Sequence, residues 1–191
     1  MSNFGFLRQD WPEIAADCVR AESYLAADPR SACFYARRAV EQLVGHIYAV
    51  DQLPIPYRDD LAARISDPAF ARKVPLGVTN KLTLIRKLGN TAVHDQRPIP
   101  PQAALDAVRE LFHVVVWTAQ RYSRVPGQTP VAARFDPALA QRAAPLTRAD
   151  VQKLAEKFRH QDEEHARQLR ERDDLAAPTR QARSARSSCP S

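Results

Sequence analysis

Apolar residues recur along this chain at spacings of three and four, the mark of helices that turn one face to a core. Asp10-Trp11-Pro12-Glu13 reads as a helix start, with Asp10 as cap, Pro12 in the first turn and Glu13 at the capping-box position. Ile14, Cys18, Ala21 and Leu25 follow as a single stripe. Asp28-Pro29 repeats the signal and predicts a second helix to about Val50. Its inward face is Ala32, Ala36, Val40, Leu43 and Ile47, flanked by Arg37, Arg38 and Glu41. Pro54 and Pro56 then break the pattern. A short helix is predicted within Tyr57 to Ser66, with Leu61 and Ile65 inward, and another short piece around Phe70 between Pro68 and Pro75.

A long helix is predicted from Leu76 to about Val93, with Ile85, Leu88 and Ala92 on its apolar face. Gly89 inside it costs about 1 kcal/mol relative to Ala, which points either to a close helix approach or to a break before His94. The segment from Asp95 to Pro101 is a turn. Beyond it the clearest helix runs from about Gln102 to Tyr122, with Leu105, Val108, Leu111, Phe112, Val115, Val116 and Ala119 as a broad apolar face. The predicted fold class is all-α: a helical bundle over 1–124 and a Pro/Ala-rich linker over 125–146. A charged helix over 147–176 is either a short coiled coil or a spacer, and a disordered basic tail occupies 177–191.

Composition supports this division. Five glycines and few alternating β-branched runs argue against a large sheet, and the fifteen prolines sit between the periodic segments. The net charge is +6, shared equally between 1–124 and 125–191, so the basic bias is mild and permits nucleic-acid contact without showing it. Cys18, Cys33 and Cys189 have no metal-ligand spacing; the first two fall on apolar faces, as buried reduced thiols would. The start of the chain has no signal-peptide pattern and no run reaches membrane-spanning length, so a cytoplasmic protein without membrane partners is expected.

Arg86, Asn90 and His94, each four residues from the next, form one polar stripe on the predicted helix. Two readings of that row stay open. It is structural if Arg86 pairs with Glu41 or another acid while Asn90 and His94 close the turn through the backbone. It is functional if His94 acts as acid or base near neutral pH and Arg86 stabilises phosphate charge. A single row holds one base, so a symmetric dimer would be needed to bring two together. The paired bases Arg37-Arg38, Arg72-Lys73 and Arg86-Lys87 would form a phosphate-contacting face if they converge, and are otherwise a solvated surface. His46 and His113 read as satisfied helix residues, His160 and His165 as solvated ones. No His-x-x-x-His or Cys-x-x-Cys pair is present, so neither a metal nor a cofactor is expected. A P-loop, a Gly-x-Ser-x-Gly elbow and the acid-x-lysine element of common restriction-type nuclease folds are all missing from the sequence.

Four segments in order, Trp11-Pro12-Glu13, Ala32 to Glu41, Ile85 to His94 and Val108 to His113, give the chain a family likeness. Over about residues 1–124 it resembles the helical domain of unknown function 4145 found at the N-terminus of many bacterial type I restriction enzyme R subunits and related helicases. That domain is grouped with HEPN-like folds. The resemblance implies a non-catalytic accessory module of a DNA restriction system. Its partners would be nucleic acid, DNA before RNA, other subunits of the system, or a second copy of the chain. The residues it would use are Arg37, Arg38, Arg86 and Lys87 for nucleic acid. In such relatives a charged spacer precedes a nuclease and a helicase, so a truncated or frameshifted relative, or a stand-alone module, is expected here. The likeness also implies an alternative, a metal-independent HEPN ribonuclease acting as a dimer through His94, Arg86 and Asn90. Active HEPN motifs place arginine four to six residues before histidine. Gly89 stands where that arginine would be, and Arg86 lies further back, which separates this chain from the active pattern. A third reading is a purely structural dimerisation domain.

Overall fold

A computed structural model describes residues 2–95, 97–125, 133–140 and 167. Two units are distinguished, Met1–Pro145 and Leu146–Ser191. Of the second only Arg167, in helical conformation, is described, so the expectations for the charged helix, the tail, Cys189, His160 and His165 lie outside the described residues.

The described residues of the first unit are all-helical, without a strand. After a 3-10 turn at Gly5–Leu7 come α1 (Pro12–Tyr24), α2 (Pro29–Val50), the short α3 (Leu61–Ser66) and α4 (Pro68–Lys73), α5 (Leu76–His94), α6 (Pro101–Tyr122) and the single turn α7 (Pro137–Ala140). None of these helices is long and apolar enough to cross a membrane. The second helix is central and packs against α1, α5 and α6, and α3 rests on α5.

Local chemistry sets several of the starts. The Asp28 carboxylate accepts from Arg30 N and Ser31 N, Asp60 from Ala63 N and Asp67 from Ala69 N, so each aspartate satisfies amides that a helix leaves open. Asp10 does not cap α1. The cap residue is Trp11, with no side-chain bond, and the Asp10 carboxylate accepts instead from the Ser123 hydroxyl beyond α6. At the other end of α2, Gln52 adopts φ 50° and Leu53 N donates to Tyr48 O at 3.0 Å, a Schellman-type stop made without glycine.

The predicted stripes of α1 and α2 are buried as expected. On α5, Leu82, Ile85, Gly89 and Ala92 are inside, whereas Leu88 is half-buried. On α6, Val114 is fully buried, while Val116 and Leu105 are half-buried. Phe4 and Leu7, which belong to no periodic stripe, are wholly buried. The Phe112 ring gathers Phe4, Phe6 and Phe135 at centroid separations of 5.9, 6.2 and 5.8 Å. Phe135 falls within the stretch expected to be a linker. There, Asp136 N donates to Asn3 Oδ1 at 2.8 Å and Asn3 Nδ2 donates back to Asp136 O at 2.9 Å. Asn3 N also donates to the buried Glu22 carboxylate at 3.1 Å. Residues 133–140 are therefore fastened to the body rather than hanging from it.

Candidate functional site

The polar row of α5 has three different fates. Its geometry is set where α5 crosses α2, and Gly89 makes the crossing close. A β-carbon built on Gly89 would meet Arg37 Cβ at 2.3 Å, Cδ at 2.8 Å and Cγ at 2.9 Å. The Arg37 stem thus lies across the helix at the point where a side chain is missing. The close approach, and not a helix break, is what Gly89 supplies, since α5 continues to His94.

That crossing carries Arg37 into a cleft with Arg86 and Asn90. The far wall is the segment leading into α3, with Arg58, Asp60, Leu61 and Ala62. The cleft has a volume of about 250 Å³. Glu41 pairs with Arg37, four residues before it, at 3.9 Å, not with Arg86. Arg37 is only 12 % exposed, and its Nε is buried with no hydrogen-bond partner among the described residues. Arg58 is bound to Asp60 at 3.2 Å. Among the described residues the cleft therefore holds one guanidinium, Arg86, without a carboxylate partner, beside Arg37, which Glu41 offsets only from 3.9 Å.

His94 is not part of the cleft lining and stands exposed at the end of α5. Among the described residues, the side chains of Asn90 and His94 take no part in closing the turn after it. Asp95 accepts from Arg97 N at 2.9 Å and from Arg97 Nε at 2.8 Å, and these bonds hold its carboxyl down at about 2. From α2, Arg30 donates to Ala92 O at 2.7 Å, Asp95 O at 2.6 Å and Arg97 O at 2.9 Å. This one guanidinium satisfies carbonyls that the end of α5 would leave open, and nothing in the hydrophobic pattern marks it.

The paired bases separate in the same way. Arg37 and Arg86 converge, whereas Arg38 turns toward α1, where its Nε lies 3.0 Å from a carboxylate oxygen of Asp17. Asp17 is 1 % exposed and also accepts from Gln42 Nε2 at 2.7 Å and Arg20 Nη1 at 3.3 Å. Burial pushes its carboxyl up, and Arg38 and Arg20 oppose the shift. Lys87 is exposed beside Arg86 but does not line the cleft, and Arg72 and Lys73 are exposed on α4.

The other two described histidines have structural partners. His46 Nε2 accepts from Trp11 Nε1 at 3.1 Å, and burial lowers its pKa, helped by the nearby Arg124. His113 sits at 3.2 Å from Glu110, which also takes Lys81. Cys18 and Cys33 are free and buried, which pushes the Cys33 thiol up to about 12. No group of three or more His, Cys, Asp or Glu among the described residues could hold a metal ion.

The family described as a domain of unknown function (DUF4145) matches residues 19–157, from within α1 to past the fastened segment at 133–140. No curated protein and no solved structure matches the chain. The match covers well over half of the sequence, and the chain belongs to the DUF4145 family.

Proposed function

We propose that this chain is a non-catalytic accessory module of a type I restriction–modification R subunit, built on a HEPN-like bundle, which contacts nucleic acid with DNA as the first candidate. One observation carries the reading: Arg37 and Arg86, from different helices, line one open cleft, and no carboxylate among the described residues pairs with Arg86. A cation left unpaired in a cleft attracts phosphate, and Lys87 beside Arg86 extends the positive field. The link to restriction systems and to HEPN-like folds rests on the sequence resemblance.

The non-catalytic part of the reading draws on the separation of His94 from the cleft. Ribonuclease action would need His94 near a bound phosphate, and the row alone sets it about 12 Å along the helix from Arg86. DNA binding measured against salt tests the proposal. The expected result is affinity that falls with salt, weakens in Arg86→Gln and leaves the DNA uncut. RNA cleavage in EDTA that disappears in His94→Ala would replace this reading with the dimeric ribonuclease.

A further inference from the structure

The geometry points to a narrower ligand for the cleft between α2, α3 and α5: a terminal phosphate monoester, such as the 5′-phosphate end of a nucleic-acid strand, held between Arg37 and Arg86 with Asn90 beside them. This rests on the reading of the cleft as a phosphate site and specifies which phosphate it takes.

Three observations carry it. The first is charge. Arg58 and Asp60 offset one another, and Glu41 reaches Arg37 only at 3.9 Å from an exposed position, so the cleft keeps a net positive charge with Arg86 unpaired among the described residues. A phosphate monoester carries about −1.5 to −2 at pH 7, whereas each phosphate inside a strand carries one charge. The second is size. At about 250 Å³ the cleft lies below the roughly 300–1,000 Å³ of sites that enclose a drug-sized ligand. It has room for one end of a strand and not for a run of nucleotides. The third is the buried Nε of Arg37, which lacks an acceptor among the described residues. An unmet buried donor is costly, so a shift of the Arg37 head group toward an oxygen brought into the cleft would relieve that cost. Asn90, one turn from Arg86 on the same face, adds a neutral amide donor for a further oxygen.

Binding by the full chain distinguishes the sources of such a group. The probes are a fluorescent hexathymidylate with a 5′-phosphate, the same strand with a 5′-hydroxyl, thymidine 5′-monophosphate and inorganic phosphate. The phosphorylated strand should bind at least about tenfold tighter than the hydroxyl strand, and inorganic phosphate should compete with it. Arg86→Gln should remove that preference while keeping the wild-type helical circular dichroism and melting temperature. If Arg86→Gln does not fold, Asn90→Ala should reduce the preference in its place. Equal affinity for the two strands overturns the inference, and if both still lose affinity in Arg86→Gln the nucleic-acid reading survives it. Should neither strand bind while the monophosphate or inorganic phosphate raises the melting temperature of the wild type and not of Arg86→Gln, the monoester site stands and the nucleic-acid reading falls. No response to any of the four probes overturns both.

Discussion

The β-carbon that Gly89 lacks would stand 2.3 Å from Cβ of Arg37, closer than two such atoms can approach. Two effects of Gly89→Ala therefore compete. Alanine favours the helix by about 1 kcal/mol, and the clash is with an atom next to the α2 backbone, which cannot swing aside. Overpacking of this kind costs about 1–3 kcal/mol, so the clash should win and the melting temperature should fall. Gly77, in the first turn of α5, meets nothing within 4 Å, so Gly77→Ala should hold or raise it. Thermal unfolding of the two variants side by side checks the contrast.

Arg30 should matter more than its half-exposed position suggests. Arg30→Lys keeps the charge but loses the planar fork that reaches three carbonyls. A loss of about 1–2 kcal/mol is expected from urea unfolding. Faster amide exchange at Asp95, whose N–H bonds to Thr91 O, should accompany it. An unchanged exchange rate would show that the end of α5 holds itself.

The burial of His46 beside Trp11 makes stability depend on pH. Burial lowers the His46 pKa below its ordinary value near 6.5, so the unfolded chain takes a proton there more readily than the folded one. The stabilisation is therefore present above about pH 6.5 and is lost as pH falls below it. His46→Gln keeps an acceptor for Trp11 and removes the titration. The urea midpoint of the wild type should drop between pH 7 and pH 5 by more than that of the variant.

Arg38 has the opposite electrostatic task, which is to keep a buried carboxylate tolerable. Arg38→Met leaves Asp17 with Arg20 and Gln42 alone. The loss should be about 1–3 kcal/mol at pH 7, less than for a fully enclosed pair because Arg38 is 30 % exposed. The Asp17 carboxyl is already raised, and removing Arg38 raises it further. The deficit should therefore grow as pH rises above the ordinary carboxylate range and shrink near pH 4. Adding Asp17→Asn should restore part of the loss. Denaturant titrations of the single and double variants at both pH values check the coupling.

How far the sequence revealed this molecule depended on the reach of each interaction. The Asp28 cap was legible because its acceptor and donors lie within three residues. Asp10 carries the same local signal without capping α1, since its carboxylate serves Ser123, which only the tertiary fold brings near. Stripes at helical spacing located the core of α1 and α2. They missed Phe4 and Leu7, because a 3-10 turn of three residues has no period to detect. The broad face of α6 shifted from Val116 toward Val114 because α6 meets α2 and α5 together. Within the candidate site, Gly89 gave a real clue to a close crossing. That crossing sends Arg37 to Arg86, while its neighbour Arg38, about 100° further round the helix, faces Asp17. Sequence adjacency could not say which of the two cations would reach the cleft.

The hydrogen bonds between Asn3 and Asp136 join the beginning of the first unit to a stretch beyond its last long helix. Together with Phe135 on Phe112 they act as a buckle. Anyone trimming the gene at the end of α6 would keep every long helix described in the first unit and still remove one half of that fastening. The shortened product would bare the aromatic cluster to water and invite self-association, whereas a cut placed after Ala140 would leave the closure intact.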